Sequence, residues 1–323
     1  MRPGGARDMR VALRKPSREI AVMSEGALVL DAEFESRVKR NEPMSRHTSW
    51  HVGGPADVFF SPRDRADLLE FLGTLPSDTP LFWLGLGSNL LVRDGGIRGV
   101  VIDTAAGLTR LERINDTTLT CEAGVPCARL ARQCIKWGMG PAEFLAGIPG
   151  VLGGALAMNA GAFGGETWPR VRSVDVCDAS GNARRRDARE YSYGYRHIVS
   201  PVEGEFFLAA MLEFEPRPGI TEDAMRELLA KRKLTQPIGE WSCGSTFTNP
   251  PGDHAARLIE AAGLKGFRIG DIMVSPKHAN FLVNVEAATA ADVEKLVAHI
   301  QAVVKDKFGV ALTPEFRIAG ESL

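Results

Sequence analysis

An apolar run that breaks into a glycine-rich loop, at residues 80–91, is the feature that most constrains this chain. It reads Pro-Leu-Phe-Trp-Leu, continues as Gly-Leu-Gly-Ser-Asn and becomes apolar again, which predicts a buried strand that ends in a tight loop. Gly85 and Gly87 would let the loop backbone approach a ligand closely, while Ser88 and Asn89 add side-chain donors. Exposed backbone amides in such a loop suit a diphosphate. A surface hairpin is the alternative, and a single Gly-x-Gly does not decide between the two.

The residues after this loop exclude one common type of nucleotide site. A doubly wound dinucleotide-binding loop opens into a helix that carries a third glycine. Here a glycine turn at residues 94–96 and a second apolar stretch at residues 97–103 follow instead. We therefore expect a strand and hairpin, with no helix N-terminus to bind the anion. Together with the helix that precedes them, these strands predict an α+β fold rather than alternating parallel units.

A second glycine cluster spans residues 147–165, with seven glycines in 19 residues. So many glycines cost backbone entropy, and a packed helix or strand would not need them. A flexible linker is the alternative, but Leu152, Leu156, Phe163 and their apolar neighbours make the segment too hydrophobic for one. We expect this backbone to lie against a flat, bulky ligand.

Away from the glycine loops, hydrophobic periodicity predicts regular helices and strands. A Pro/Gly break at residues 216–219 is the best candidate for a domain boundary. The predicted elements are helices at residues 63–75, 127–137, 221–234 and 290–308, and strands at residues 117–123, 171–178 and 205–215.

The composition is that of an ordinary soluble protein. Of 323 residues, 44% are hydrophobic and 24% are charged, a length that allows two or three domains of ~100–150 residues. The net charge of −1 creates no field for nucleic acid or an anionic membrane surface. No apolar stretch approaches the ~20 residues that span a bilayer.

The five cysteines include no Cys-x-x-Cys pair, which argues against a disulfide framework or a zinc site. We therefore expect no metal, and reduced thiols in the cytoplasm. Cys243 adjoins a glycine turn and could be a nucleophile, although no base is evident, and a structural thiol is the alternative. Residues 1–26 are Arg-rich and lack the apolar core of a signal peptide. They are expected to be a disordered arm or an artefact of start-site choice, with Met23 as the alternative start.

Ten short motifs, from about residue 48 to residue 318, resemble those of one enzyme family in both order and spacing. The family is that of the UDP-N-acetylenolpyruvoylglucosamine reductases, also called UDP-N-acetylmuramate dehydrogenases. Each motif alone is weak, whereas all ten in this order are highly specific. They are Gly53-Gly54-Pro55-Ala56-Asp57, Gly85-Leu86-Gly87-Ser88-Asn89-Leu90-Leu91, Gly147-Ile148-Pro149-Gly150, Met158-Asn159-Ala160-Gly161-Ala162, Tyr195-Arg196-His197, Thr235-Gln236-Pro237, Gly244-Ser245-Thr246-Phe247, Asn249-Pro250, Ala261-Ala262-Gly263-Leu264-Lys265-Gly266 and Pro314-Glu315.

The resemblance implies a vanillyl-alcohol-oxidase-type FAD-binding fold of two α+β subdomains, followed by a C-terminal α+β domain that binds the substrate. The implied division is an N-terminal arm at residues 1–40, FAD-binding subdomains at 41–110 and 111–217, and the substrate-binding domain at 218–323. Residues 277–281 (Lys-His-Ala-Asn-Phe) resemble the shorter subtype of the family, which lacks one substrate-covering loop.

The resemblance also implies non-covalent FAD, with NADPH as co-substrate. The implied substrate is UDP-N-acetylglucosamine enolpyruvate, which is reduced to UDP-N-acetylmuramate in peptidoglycan precursor synthesis. A cytoplasmic monomer without a nucleic-acid or membrane partner is expected. The residues expected to bind FAD are Gly85, Gly87, Ser88, Asn89, Leu90, Gly147, Gly150, Gly153, Gly154, Asn159, Ala160 and Gly161.

Three residues resemble the catalytic groups of the family. In its reaction, hydride from reduced flavin adds to the vinyl carbon remote from the carboxylate, and the carbon beside the carboxylate is protonated. Ser245 resembles the proton donor, Arg196 the residue that holds the carboxylate and stabilises the enolate, and Glu315 a third residue that assists proton transfer. Without the resemblance they also fit a turn serine, a surface arginine and a strand-edge carboxylate. Tyr195 and Asn249 resemble substrate-binding residues, with loop packing and an Asn-Pro turn as alternatives.

One position departs from the family pattern. Thr248 stands where a lysine that could contact the substrate diphosphate is often found, and Lys265, Lys231 or Lys233 could supply that charge instead. A flavin oxidase on the same scaffold and a non-catalytic flavin-binding protein are the alternative functions. Ser245 and Glu315 disfavour the oxidase, and Arg196, Ser245 and Glu315 together disfavour the non-catalytic protein.

Overall fold

The computed structural model describes residues 28–323. The strands of this part of the chain are β1 (Lys39–Pro43), β2 (Pro55–Phe60), β3 (Leu81–Leu84), β4 (Leu90–Val92), β5 (Ile97–Asp103), β6 (Leu111–Arg113), β7 (Thr118–Glu122), β8 (Met139–Gly140), β9 (Gly161–Ala162), β10 (Gly165–Glu166), β11 (Val171–Cys177), β12 (Ala183–Asp187), β13 (Ser192–Gly194), β14 (His197–Val199), β15 (Phe206–Glu213), β16 (Glu215–Pro216), β17 (Arg268–Ile269), β18 (Ile272–Val274), β19 (Leu282–Asn284) and β20 (Arg317–Ala319). Its α-helices are α1 (Ala32–Glu35), α2 (Arg65–Thr74), α3 (Thr104–Gly107), α4 (Cys127–Lys136), α5 (Leu152–Met158), α6 (Asp223–Thr235), α7 (Ala255–Ala261) and α8 (Ala290–Phe308). Short 3-10 helices lie at Met44–Arg46, Glu143–Gly147, Trp168–Arg170 and Ala188–Glu190.

The first sheet carries the Gly-x-Gly loop at the end of β3. Its strand order is β1-β2-β5-β3, and β5 pairs in parallel with both β2 and β3. The strand predicted before the loop is present, but the expected hairpin is wrong. β4 leaves this sheet and pairs in parallel with β20 near the end of the chain. A local pattern cannot reveal a partner so distant in sequence.

Helix α2 is fixed on the first sheet by a buried carboxylate. Asp64 caps the helix, since its Oδ1 accepts a hydrogen bond of 2.9 Å from the backbone N of Asp67. The side chain of Asp67 is itself buried and accepts hydrogen bonds from the guanidinium groups of Arg37 and Arg63. Burial alone raises the pKa of Asp67, but these hydrogen bonds outweigh it and lower the pKa to about 2. Asp67 therefore stays charged at neutral pH and ties the start of the described chain to α2.

The second sheet, β12-β11-β15-β7-β6, is antiparallel throughout. The predicted strands at 117–123, 171–178 and 205–215 are confirmed as β7, β11 and β15, each shorter than predicted by one to three residues. Helix α4 lies where a helix was predicted, and its Leu130 and Cys134 are fully buried in the core of this unit. Parallel pairs in the first sheet and antiparallel pairs in the second make the predicted α+β class correct.

The second glycine cluster contains a packed helix, so the expectation that no helix lies there is wrong. Helix α5 occupies the middle of the cluster and buries Leu152 and Leu156. A Cβ atom at Gly153 would lie 3.0 Å from the Cβ atom of Ala123. Gly153 therefore lets α5 pack closely against the end of β7.

The last part of the chain packs α7 and α8 on the small sheet β17-β18-β19. Helix α8 has the bounds predicted from its periodicity, and Thr289 caps it in a capping box with Asp292. The Asp94 carboxylate, from the loop after β4, accepts further hydrogen bonds of 2.9 and 3.0 Å from the backbone N atoms of Ala290 and Ala291. The start of α8 is therefore attached to the first sheet's loops.

Two segments pack across the predicted domain boundaries. Trp50 is fully buried in the C-terminal core, where its Nε1 donates to the backbone O of Leu282 at 2.9 Å. Strand β20 returns to β4, as described above. The division at residues 40, 110 and 217 stays a prediction.

The predicted N-terminal arm is only partly described. Phe34 of α1 is buried against Phe60 and Phe71, so the end of the arm belongs to the core of the first sheet. Residues 1–27, including Met23, lie outside the described residues.

Candidate functional site

A cavity of about 610 Å³ lies where the β3–β4 loop, the second glycine cluster, α6 and the segments around residues 244 and 316 meet. Most of the residues predicted to bind FAD line this cavity, and so do all three catalytic candidates. The lining residues among these predictions are Gly85, Gly87, Ser88, Asn89, Leu90, Gly147, Gly150, Gly154, Ala160, Gly161, Arg196, Ser245 and Glu315. Gly153, Asn159, Tyr195 and Asn249 do not line it.

Arg196 lies at the tip of the β13–β14 hairpin in a strained backbone conformation. Gly194 pairs with His197, so Tyr195 and Arg196 are the two central residues of the turn, and φ of Arg196 is 55°. A positive φ in this position usually requires glycine or asparagine. Its Nη2 donates to the backbone O of Gly161 at 3.1 Å, which turns the side chain toward the cavity. Strain of this kind persists where the surrounding structure imposes it, often at functional sites.

Asn159, predicted to bind FAD, holds this hairpin in place. It is fully buried at the end of α5, and its Nδ2 donates to the backbone O of Gly194 and to Glu166 Oε2, both at 3.0 Å. Its Oδ1 accepts from the backbone N of Trp168 at 3.0 Å. Asn159 therefore acts on the cavity through Arg196, which the hairpin carries.

Arg196 and Glu315 form a close ion pair in the cavity wall. Arg196 Nε lies 2.7 Å from Glu315 Oε1, and their side chains are only 22% and 11% exposed. The Nε–H is not directed at the carboxylate, so this contact is ionic rather than a well-formed hydrogen bond. Burial raises the pKa of Glu315 above its ordinary value, against the lowering effect of Arg196. Glu315 therefore holds a proton to higher pH than an exposed glutamate does.

Ser245 reaches the same wall on a loop that one asparagine fixes. The backbone N of Thr246 donates to the backbone O of Asn280 at 2.8 Å. The Asn280 side chain accepts from the backbone N of Phe247 at 3.0 Å and donates to its backbone O at 2.8 Å. The backbone N of Glu315 donates to the backbone O of Thr246 at 2.8 Å. The segments that carry Ser245 and Glu315 are thus held side by side, although they are about 70 residues apart in the sequence.

The charges that line the cavity are unbalanced. Four cationic side chains and one carboxylate line it, which gives a formal charge of +3. The sequence analysis found Lys231 only as one alternative source of charge and did not find Arg232, because basic residues at the end of α6 also suit the helix dipole. It did not find Arg317 either, which lies in β20. The lining cations are Arg196, Lys231, Arg232 and Arg317, and the carboxylate is Glu315.

The glycines of the two loops serve different purposes. At Gly87, φ is 59° and a Cβ atom would lie 2.0 Å from the backbone O of His47, so the chain itself needs this glycine. At Gly154, on α5, nothing lies within 4 Å of a Cβ atom, although the residue lines the cavity. Gly154 therefore leaves the cavity free for a bulky group, which fits a flavin.

The residues predicted to bind substrate or to supply charge, and Cys243, have other surroundings or partners. Tyr195 is 56% exposed beside Arg196, and the Asn249 side chain accepts a hydrogen bond of 3.1 Å from the backbone N of Ala255 at the start of α7. Asn249 therefore contacts the start of α7, and its proposed role in substrate binding stays a prediction. Lys265 pairs with Glu260 at 2.7 Å. Cys243 lines the cavity, but burial raises the pKa of its thiol well above the ordinary range, so it is a structural thiol.

Two further properties concern the described chain as a whole. Within residues 28–323, no group of three His, Cys, Asp or Glu side chains is placed to hold a metal ion. No helix in the same range has the length and apolar character required to cross a membrane.

Comparisons with known proteins match both halves of the chain. An FAD binding domain profile matches residues 56–186, and a profile of the UDP-N-acetylenolpyruvoylglucosamine reductase C-terminal domain matches residues 236–319. The enzyme of that name from Alkalilimnicola ehrlichii is 56% identical over 282 residues, which is 87% of this chain and 94% of that protein. The one from Methylococcus capsulatus is 54% identical over 283 residues, 87% of this chain and 93% of that protein. The crystal structure of the Thermus caldophilus reductase superposes with a TM-score of 0.75 at 34% identity, covering 88% of this chain and 99% of that one.

Proposed function

The chain belongs to the UDP-N-acetylenolpyruvoylglucosamine reductase family, and we propose that it reduces UDP-N-acetylglucosamine enolpyruvate to UDP-N-acetylmuramate with NADPH as the source of hydride. It is an FAD-dependent oxidoreductase. The observation that carries the proposal is one cavity in which Arg196, Ser245 and Glu315 meet under a formal charge of +3. Such a charge suits a diphosphate-containing cofactor and an anionic UDP-sugar.

Residues of both glycine segments fit a non-covalently bound FAD. When bound, FAD would supply the two-electron chemistry that links the nicotinamide to the enolpyruvyl double bond. The β3–β4 loop offers backbone amides and the side chains of Ser88 and Asn89, while Gly154 leaves room for a flat ring. Asn89 Nδ2 also donates to the backbone O of Glu315 at 3.2 Å, so the cofactor loop and the catalytic wall are joined.

Arg196 is proposed to hold the substrate carboxylate and to stabilise the charge that develops on it. Hydride adds to the terminal vinyl carbon, so negative charge moves toward the carboxylate as an enolate. A planar guanidinium can face two carboxylate oxygens at once. The short contact to Glu315 and the bond to Gly161 hold Arg196 before the substrate arrives. A charge stabiliser that needs no rearrangement is the most effective kind.

Ser245 is proposed to deliver the proton to the carbon beside the carboxylate. A serine hydroxyl is a weak acid, so its position and its neighbours must compensate. The loop that carries Ser245 is fixed by Asn280, and Glu315, with its raised pKa, lies on the adjoining segment. Glu315 is proposed to assist in managing that proton and to balance the charge of Arg196.

An anaerobic visible spectrum tests this function in two steps. NADPH should bleach the flavin, and the enolpyruvyl substrate should restore its absorbance. Ser245→Ala should leave the first step unchanged and slow the second about 10²–10⁴-fold, the usual contribution of a proton donor. Ser242→Ala is the control. Ser242 does not line the cavity, but its Oγ accepts a hydrogen bond of 3.3 Å from the backbone N of Gly244, so this variant measures what loosening the loop alone does.

Equal loss in both steps would contradict the proposed role of Ser245. Recovery of the flavin only with oxygen would indicate an oxidase and refute the proposed reaction. We also propose that the active enzyme is a monomer, which sedimentation of the active enzyme would test.

A further inference from the structure

Arg232 is a cation in the cavity wall that none of the roles above uses. It lies in the last turns of α6, half-buried, and lines the cavity. Its Nε donates to Gln236 Oε1 at 2.5 Å, and its Nη1 donates to the backbone O of Gly147 by a short hydrogen bond. These two bonds hold the guanidinium plane in one orientation, between α6 and the second glycine cluster. The second amino group, Nη2, takes no part in either bond.

No acidic side chain of the described residues neutralises the positive charge of Arg232. Within residues 28–323, no ion pair joins it to an Asp or Glu side chain, whereas Arg196 has Glu315. Burial and the nearby Arg196 guanidinium both lower the pKa of Arg232. An arginine nevertheless stays charged in proteins. A partly buried, unpaired cation beside a like charge costs free energy, because it has lost water and gained no partner.

Hydrogen bonding alone does not explain this residue. The backbone O of Gly147 and the amide of Gln236 are both neutral, and a glutamine could bond to either. A guanidinium at this position becomes favourable when an anionic ligand binds, because the ligand then supplies the counter-charge that no side chain of the described protein provides. The Nη2 group, which takes no part in the two hydrogen bonds, would contact such an anion on the cavity side.

We propose that Arg232 is an anion-anchoring residue whose counter-charge is brought into the cavity by the ligand. The proposal rests on the function proposed above, in which two ligand groups have this chemistry. One is the enolpyruvyl carboxylate, beside Arg196. The other is the pyrimidine edge of the reduced flavin, which carries negative charge, and the bond from Arg232 to the second glycine cluster places it on the proposed flavin side.

The test compares Arg232→Gln with Lys233→Gln. Lys233 is the next residue of α6, is exposed and does not line the cavity, so Lys233→Gln removes the same charge outside the site. For each FAD-bound variant, two quantities are measured: the flavin midpoint potential, and the Kd values for the enolpyruvyl substrate and for UDP-N-acetylglucosamine, which lacks the carboxylate. Arg232→Lys, which keeps the charge, should recover part of any effect. If Arg232→Gln does not fold, Arg232→Met, which also removes the charge, takes its place.

Either of two results would support the proposal. If Arg232 serves the reduced flavin, Arg232→Gln lowers the midpoint potential by about 30 mV or more, equivalent to a tenfold weaker preference for the reduced form in a two-electron couple. If it serves the substrate carboxylate, the Kd for the enolpyruvyl substrate rises tenfold or more, while that for UDP-N-acetylglucosamine stays the same.

The proposal is overturned if neither quantity in Arg232→Gln differs from the Lys233→Gln control, or if Arg232→Lys behaves no better than Arg232→Gln. The function itself is tested separately in the unmodified enzyme. If NADPH does not bleach its flavin, or the enolpyruvyl substrate does not restore it, the proposed function fails whatever the variants do.

Discussion

Replacing Arg196 by glycine should raise stability relative to alanine at the same position, while both variants lose the same catalytic step. With φ at 55°, a residue that has a Cβ atom is strained by ~1–2 kcal/mol, a cost that glycine avoids. Glycine also loses more chain entropy on folding, which offsets ~0.5–1 kcal/mol of that gain. Both changes leave Glu315 without its partner at 2.7 Å, so that loss cancels in the comparison. The glycine variant should therefore be more stable than the alanine variant by about 1 kcal/mol.

Urea denaturation of both variants, with the m-value checked to be unchanged, measures this difference. Reoxidation of NADPH-reduced flavin by the enolpyruvyl substrate measures catalysis, and it should slow about 10²–10³-fold in both variants, as for other lost charge stabilisers. If the glycine variant is no more stable than the alanine variant, Arg196 stores no backbone strain. If either variant is reoxidised at the wild-type rate, Arg196 does not stabilise the reaction.

Two further predictions concern the cavity and acid stability. Gly154→Val should fold but bind FAD at least tenfold more weakly, because its side chain enters open cavity space, whereas Gly153→Val should lose stability by contact with Ala123. Flavin content and melting temperature distinguish these two effects. Normal FAD affinity in Gly154→Val would show that the flavin lies elsewhere. Because the pKa of Asp67 is lowered from its ordinary 3.8 to about 2, it contributes about 2 kcal/mol that is present above pH 4 and lost as the pH falls toward 2. Asp67→Asn should remove that contribution at pH 7, and its free energy of unfolding in urea should fall less than that of the wild type as the pH is lowered from 4 to 2. An equal fall in both proteins would show that Arg37 and Arg63 do not stabilise the charged form.

The elements that local periodicity specifies were predicted well. Helix α8 has the predicted bounds, and β7, β11 and β15 lie within one to three residues of theirs. Each buries an apolar face that recurs with its own period, so the pattern is contained in the element itself. Helix α5 was missed because seven nearby glycines outweigh its short apolar pattern, although Gly153 is there for close packing rather than for a ligand.

The candidate site was predicted in a different way. Its glycine loops were found from composition, and the three catalytic candidates from motifs whose order resembles a family. Arg232 was not found, since a basic residue in the last turn of a helix ordinarily serves the helix dipole. Asn159 was found, but its contacts to Gly194 and Trp168 give it a positioning role that no local pattern indicates.

By itself, the sequence determined the strand that ends in the Gly-x-Gly loop, the glycine-rich backbone opposite it and the kinds of side chain available for the reaction. These follow from local sterics and from side-chain chemistry, which are properties of a residue and its near neighbours. Only the tertiary structure decided that β4 pairs with β20, that Trp50 enters the C-terminal core, and that Arg196 and Glu315 meet. These contacts join segments far apart in the chain, and their selection depends on the packing of the whole core rather than on any one segment.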